Sequence, residues 1–130
     1  MNRAKCLTCA ALLAFLAAGC RSEPPRSGGR TAAYWAEVLQ QPDVELRRKA
    51  ATKLGPLALL EKAAIPALIG ALKDADPEVR SNAARSLGVY SGPRGKEVLP
   101  ALTEVEASDA DPTVREAAAK AVERLRAGSK

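Results

Sequence analysis

A repeated segment constrains this chain more than any other feature. Asp76-Pro77-Glu78-Val79-Arg80, with Ala83-Ala84 and Leu87 behind it, returns as Asp111-Pro112-Thr113-Val114-Arg115 with Ala118-Ala119 and Val122. A looser copy lies upstream in Asp43-Val44-Glu45-Leu46-Arg47, Ala50-Ala51 and Leu54. The copies start 33 and 35 residues apart. A period of this size marks stacked helical pairs, none of which can bury its apolar face alone. Three units are about the minimum for a stable array.

Ala and Leu dominate the segment 31–130 and favour helix, while aromatics are few. Six helices in three pairs are expected. The first spans Thr31 to Gln41, with Thr31 as N-cap. The second spans Val44 to Leu54, capped by Asp43 and stopped by Gly55-Pro56. Leu57 to Glu61 reads as a turn. The third covers Lys62 to Lys73, provided that Pro66 falls in its first turn. The fourth runs from Pro77 to Tyr90 behind Asp76 and ends at Ser91-Gly92-Pro93. The fifth covers Gly95 to Ala107. The sixth covers Pro112 to Ala127, capped by Asp111 and ended by Gly128. Proline at the first helical position gives up an N–H that has no intrahelical partner anyway.

Helical spacing predicts the core faces: Leu46, Ala50 and Leu54; Val79, Ala83, Leu87 and Tyr90; Val114, Ala118, Val122 and Leu125. The paired alanines let neighbouring helices approach closely. The first helices align too, with Ile65-Pro66-Ala67-Leu68 matching Leu99-Pro100-Ala101-Leu102 and Trp35 matching Leu68. That alignment assigns Trp35 to the core.

These residues resemble HEAT repeats, particularly the short bacterial type also found in phycobilisome-lyase-like proteins. The resemblance covers roughly Thr31 to Ala127 and implies an all-α fold: a short α-solenoid of about three hairpins. It also implies a ladder between repeats, built from an Asp and an Arg six residues apart. Asp74/Arg80 and Asp109/Arg115 fit, whereas the first copy has Gln41/Arg47 and would lack its acid. In such arrays the second helices line the concave face. By periodicity their outward positions are Arg48, Thr52, Ser81, Arg85, Glu116 and Lys120, in columns Arg48–Ser81–Glu116 and Thr52–Arg85–Lys120. The second column is neutral to basic and suits an acidic protein segment.

The N-terminus reads as a targeting segment. Arg3 and Lys5 precede the apolar run Leu7 to Ala18. That run makes about 18 Å of helix, short of a ~30 Å hydrocarbon core. Leu16-Ala17-Ala18-Gly19-Cys20 resembles the lipobox of bacterial lipoproteins, with Ala17 where that family usually has Leu. The resemblance implies cleavage before Cys20 and a lipid on its thiol. Arg21, rather than Asp, follows the Cys, which resembles the outer-membrane sorting pattern of Gram-negative lipoproteins. The expected organisation is a signal peptide at 1–19, a lipidated Cys and tether at 20–30, and the repeat domain at 31–130. Cys6 and Cys9 have redox or metal spacing but lie inside the apolar signal core and would be removed with it.

The chain carries 20 basic and 15 acidic residues. Much of the excess lies in Arg3, Lys5, Arg21, Arg26 and Arg30, which leaves the repeat domain nearly neutral. A domain that neutralises several phosphates would have a basic footprint, so nucleic acid is not the expected partner. The chain has no His, and the repeat domain has no Cys. The commonest general base and the best nucleophile are therefore missing. Asp74-Ala75-Asp76 and Asp109-Ala110-Asp111 could be metal ligands, but they lack the further ligands, central Gly and distal Glu of an EF-hand. Capping and the ladder account for them. The expectation is therefore no enzyme, no cofactor, no metal and no small-molecule substrate. The chain reads as a lipid-anchored scaffold of the bacterial envelope that binds another protein, on the periplasmic side of the outer membrane in a Gram-negative host. The alternatives are a HEAT-like nucleic-acid binder and an accessory to an enzyme such as a chromophore lyase.

Overall fold

The structure, a computed structural model, describes residues 30–129. The expectations for the signal peptide, Cys20 and most of the tether lie outside the described residues.

Six helices form in the expected order: α1 (Ala32–Val38), α2 (Val44–Leu57), α3 (Ala64–Ala71), α4 (Pro77–Leu87), α5 (Pro93–Ser108) and α6 (Pro112–Ala127). Capping explains where the second helix of each pair begins. Asp43, Asp76 and Asp111 are extended, and each carboxylate accepts two backbone N–H groups of the first turn. The Asp76 bonds come from Glu78 at 3.1 Å and Val79 at 3.0 Å. Thr31 caps α1 by accepting the Tyr34 N–H.

The helix ends differ from expectation in instructive ways. Gly55-Pro56 does not stop α2, which continues to Leu57. Gly55 is buried where α4 crosses, and a Cβ there would lie 2.9 Å from Ser86 Oγ. Its equivalent, Gly88, caps α4 in a right-handed conformation, and a Cβ there would lie 2.8 Å from the Ala121 Cβ. Both glycines serve close approach between second helices rather than a left-handed cap. α3 starts at Ala64, which puts Pro66 in its first turn. α4 ends at Leu87, so Tyr90 lies beyond the helix. α5 begins at Pro93, ahead of Gly95, because Gly92 turns the chain at φ 65°.

The helices pair as hairpins α1/α2, α3/α4 and α5/α6, stacked side by side. The second helices α2, α4 and α6 pack closely against one another, while α1, α3 and α5 meet more loosely. The close layer depends on small residues: Ala50, Ala51, Ala83, Ala84 and Ala118 are fully buried. It is tied by hydrogen bonds from Ser86 Oγ to the Ala51 carbonyl at 2.9 Å and from the Tyr90 hydroxyl to the Gly55 carbonyl at 3.2 Å. The second helices thus form the more closely packed of the two layers. One apolar core runs between the layers through Trp35, Leu54, Leu68, Leu87, Leu102 and Leu125. Each such side chain contributes about 1.5–3 kcal/mol by leaving water.

Candidate functional site

Two edges and one face position the charged residues. The hairpin turns all lie on one edge, where arginines join successive repeats. Arg47 Nε and Nη2 donate to the Asp74 carboxylate at 2.9 and 3.2 Å, and Nη1 donates to the carbonyls of Gln41 and Pro42. Arg80 repeats the arrangement. It grips Asp109 at 2.8 and 3.0 Å and bonds the carbonyls of Asp74 and Ala75 in its own turn. Each arginine thus secures its own turn and the acid of the next. Gln41 therefore leaves no missing acid for Arg47, because the partner comes from the following repeat. Arg115 bonds the carbonyls of Asp109 and Ala110, with no carboxylate partner among the described residues.

Arg48 forms a second rung that the sequence reading did not foresee. Its guanidinium makes a bidentate pair with Asp76 at 3.0 and 2.8 Å and also reaches Glu45 and Glu78. Its hydrogen bonds hold the Asp76 carboxyl down at about 2, helped by the Val79 and Glu78 N–H groups. Arg80 lowers Asp109 in the same way.

The expected outward positions separate on inspection. Arg48 is spent on the turn network. Thr52 is exposed, its hydroxyl donating to the Arg48 carbonyl. Ser81 is buried at 3% exposure, and its hydroxyl has no partner among the described residues. The outward column containing it is corrected on that point. α4 is the central second helix, flanked by both α2 and α6, so a wider arc of it is covered than one apolar stripe predicts. Arg85, Glu116 and Lys120 remain exposed, and the fold brings them together.

They line a polar cleft of about 290 Å³ between α4 and α6, with Thr113, Ala117 and Arg124. Lys120 Nζ donates to Glu116 Oε1 at 2.6 Å, one helical turn away. This bond holds the Glu116 carboxyl below its ordinary value, with a smaller contribution from Arg85. Arg85 and Arg124 have no ion-pair partner among the described residues. Three cations surrounding one engaged carboxylate favour an anionic visitor. Arg124 was missed by the sequence reading. It lies one turn beyond Lys120 on α6, and that spacing was the available signal.

Nothing in the cleft resembles a catalytic constellation. Among the described residues no group of His, Cys, Asp or Glu could hold a metal ion, and no helix is long and apolar enough to cross a membrane. A larger groove of about 720 Å³ separates α3 and α5 on the other layer, lined by Ile69, Pro100, Ala101 and Val105 with Glu97 and Glu104.

Comparison with known proteins gives consistent answers. The family model for HEAT repeats matches residues 32–125. Among solved structures, the CpcE–CpcF complex of phycocyanin lyase from Nostoc is 37% identical, with a TM-score of 0.63, covering 81% of this chain and 41% of that one. Human deoxyhypusine hydroxylase, solved with glycerol, is 31% identical, with a TM-score of 0.62, covering 74% of this chain and 32% of that one. An engineered protein at 23% identity and a TM-score of 0.56 shares the fold. No curated protein matches. The chain spans less than half the length of the relatives it matches.

Proposed function

We propose, from the premise that this chain belongs to the HEAT-repeat family, that it is a lipid-anchored scaffold of the bacterial cell envelope. In this reading it holds an acidic segment of a protein partner against the cleft between α4 and α6. The observation that carries the reading is the cluster of Arg85, Lys120 and Arg124 around that cleft, two of them without an ion-pair partner among the described residues. Complementary charge of this kind steers encounter and selects partners. The anchor rests on Cys20 and the lipobox-like residues before it.

Each part has its own test. Labelled lipid should attach to the unsubstituted chain and disappear with Cys20→Ser; labelling that survives the substitution would defeat the anchor. An oligoglutamate peptide serves as the probe for the cleft. Arg85→Glu together with Lys120→Glu should weaken its binding about tenfold, equivalent to about 1.4 kcal/mol. Unchanged affinity would remove the cleft from the reading.

A second reading, as accessory to an enzyme, is supported by the 37% identity to the phycocyanin lyase complex. Chromophore that copurifies with the chain from a pigment-making host would favour it over the scaffold. Fold likeness is a weak warrant for activity, so the scaffold reading stands first.

A further inference from the structure

The edge opposite the Asp turns carries a different chemistry. It holds the start of α1, the α2–α3 and α4–α5 loops, and the end of α6. The Ala32 N–H donates to Glu61 Oε2 at 2.9 Å, so the chain enters the fold against the α2–α3 loop. Arg94 Nη1 donates to the carbonyls of Ala58 and Leu59 at 3.2 and 2.8 Å, tying the start of α5 to the same loop.

This edge gathers apolar side chains that have no core to enter. Leu60 is 83% exposed, Leu59 54% and Val89 50%, and Tyr34 stands near the start of α1. Of the exposed large hydrophobic residues described, only Leu46 lies elsewhere, in the first turn of α2, where it is 43% exposed rather than part of the core face that helical spacing predicts. Cations accompany them: Lys53, Lys62, Lys96 and, at the end of α6, Arg126. The Arg30 guanidinium lies 4.8 Å from the Tyr34 ring centre. Of the nearby carboxylates, Glu61 is engaged by the Ala32 N–H, while Glu97 and Glu123 stand among the cations. The turn edge differs: its Asp74, Asp76 and Asp109 are ion-paired with Arg47, Arg48 and Arg80.

We infer that this loop edge rests on an anionic lipid surface, with Leu59 and Leu60 dipping into the interface and the lysines and arginines meeting headgroups. Exposed leucines flanked by cations suit a bilayer boundary, where apolar tips gain burial and each basic residue adds roughly fivefold to affinity. A nucleic acid would use the cations but leave the leucines in water. The inference rests on the anchored reading in one respect. Cys20 lies ten residues before Arg30, and ten residues of chain span at most about 33–36 Å. A lipid on Cys20 would keep Arg30, and the loop edge beside it, within that distance of the membrane.

Tryptophan quenching by brominated lipid tests the orientation. The full chain is reconstituted in vesicles containing brominated anionic lipid, once as Leu60→Trp and once as Ala110→Trp, which marks the turn edge. Both sites are exposed, so folding is preserved, and the signal of Trp35 is subtracted using the unsubstituted chain. Quenching of the Leu60→Trp signal but not of the Ala110→Trp signal is expected. Adding Lys62→Glu and Lys96→Glu should abolish it. Equal quenching at both positions, quenching at 110 alone, or none at either overturns the inference. Duplex DNA that binds the full chain, with an affinity that Leu60→Glu leaves unchanged, reassigns the edge and also overturns it. Flotation reads the anchoring separately. A chain that floats without quenching loses only this inference, and a chain that never floats loses the anchor as well.

Discussion

Arg48 and Arg80 each grip a carboxylate of the following turn, and those two acids, Asp76 and Asp109, are held below the ordinary carboxylate range. Asp76, with its carboxyl held at about 2 by Arg48 against an ordinary 3.8, favours the folded state most fully above the ordinary value. That contribution is lost as pH falls through about 2, and Asp109 shifts in the same direction. The melting temperature should therefore stay level from about pH 7 to 5 and fall between roughly pH 4 and 2. Arg48→Ala should flatten part of that fall, as scanning calorimetry across pH would record; an unchanged profile would contradict the assignment. Gly88 makes a second prediction at this scale. Gly88→Ala places a Cβ 2.8 Å from the Ala121 Cβ and 2.9 Å from its Cα, so backbone must move. A loss of about 2 kcal/mol and a melting point lower by roughly 10 °C are expected. The capping acids could be read directly from the sequence, because cap geometry is local. The partner of each arginine could not, since it belongs to the next repeat. Ser81 misled for a similar reason: it lies on the central second helix, which both α2 and α6 flank.

The helices show where local rules hold and where packing overrides them. The two bounds of α6 follow from Asp111-Pro112 and Gly128, all local signals. The end of α2 does not, because Gly55 answers to a neighbouring helix rather than to its own chain direction. The alanine pairs test that packing. Ala83 and Ala118 have no exposed surface, so Ala83→Leu or Ala118→Leu should overpack the second-helix layer and cost about 1–3 kcal/mol. Ala127→Leu, at an exposed helix end, should change stability little. Denaturant unfolding of the three variants would show this ranking, and equal costs would contradict the close approach.

The whole molecule is an array whose period was plain in the sequence, and the stacked hairpins follow from it. Its charge separation was not plain. Cations and carboxylates are interspersed along the chain, and only folding sorts them into an ion-paired turn edge, a basic loop edge and the cleft of Arg85, Lys120 and Arg124. The Thr52–Arg85–Lys120 column anticipated two of those three cleft cations, because helical phase is readable one helix at a time. Arg124 and the depth of the cleft depend on how α4 and α6 meet. The most direct measurement is photocrosslinking in the envelope with a photoreactive residue at Thr113, inside the cleft, and separately at Glu104, in the groove between α3 and α5. The account predicts a crosslink from position 113 to an acidic stretch of one partner, absent from position 104 and lost when Arg85 and Lys120 become Glu. A crosslink confined to position 104, or one at position 113 that survives the charge reversal, would contradict it.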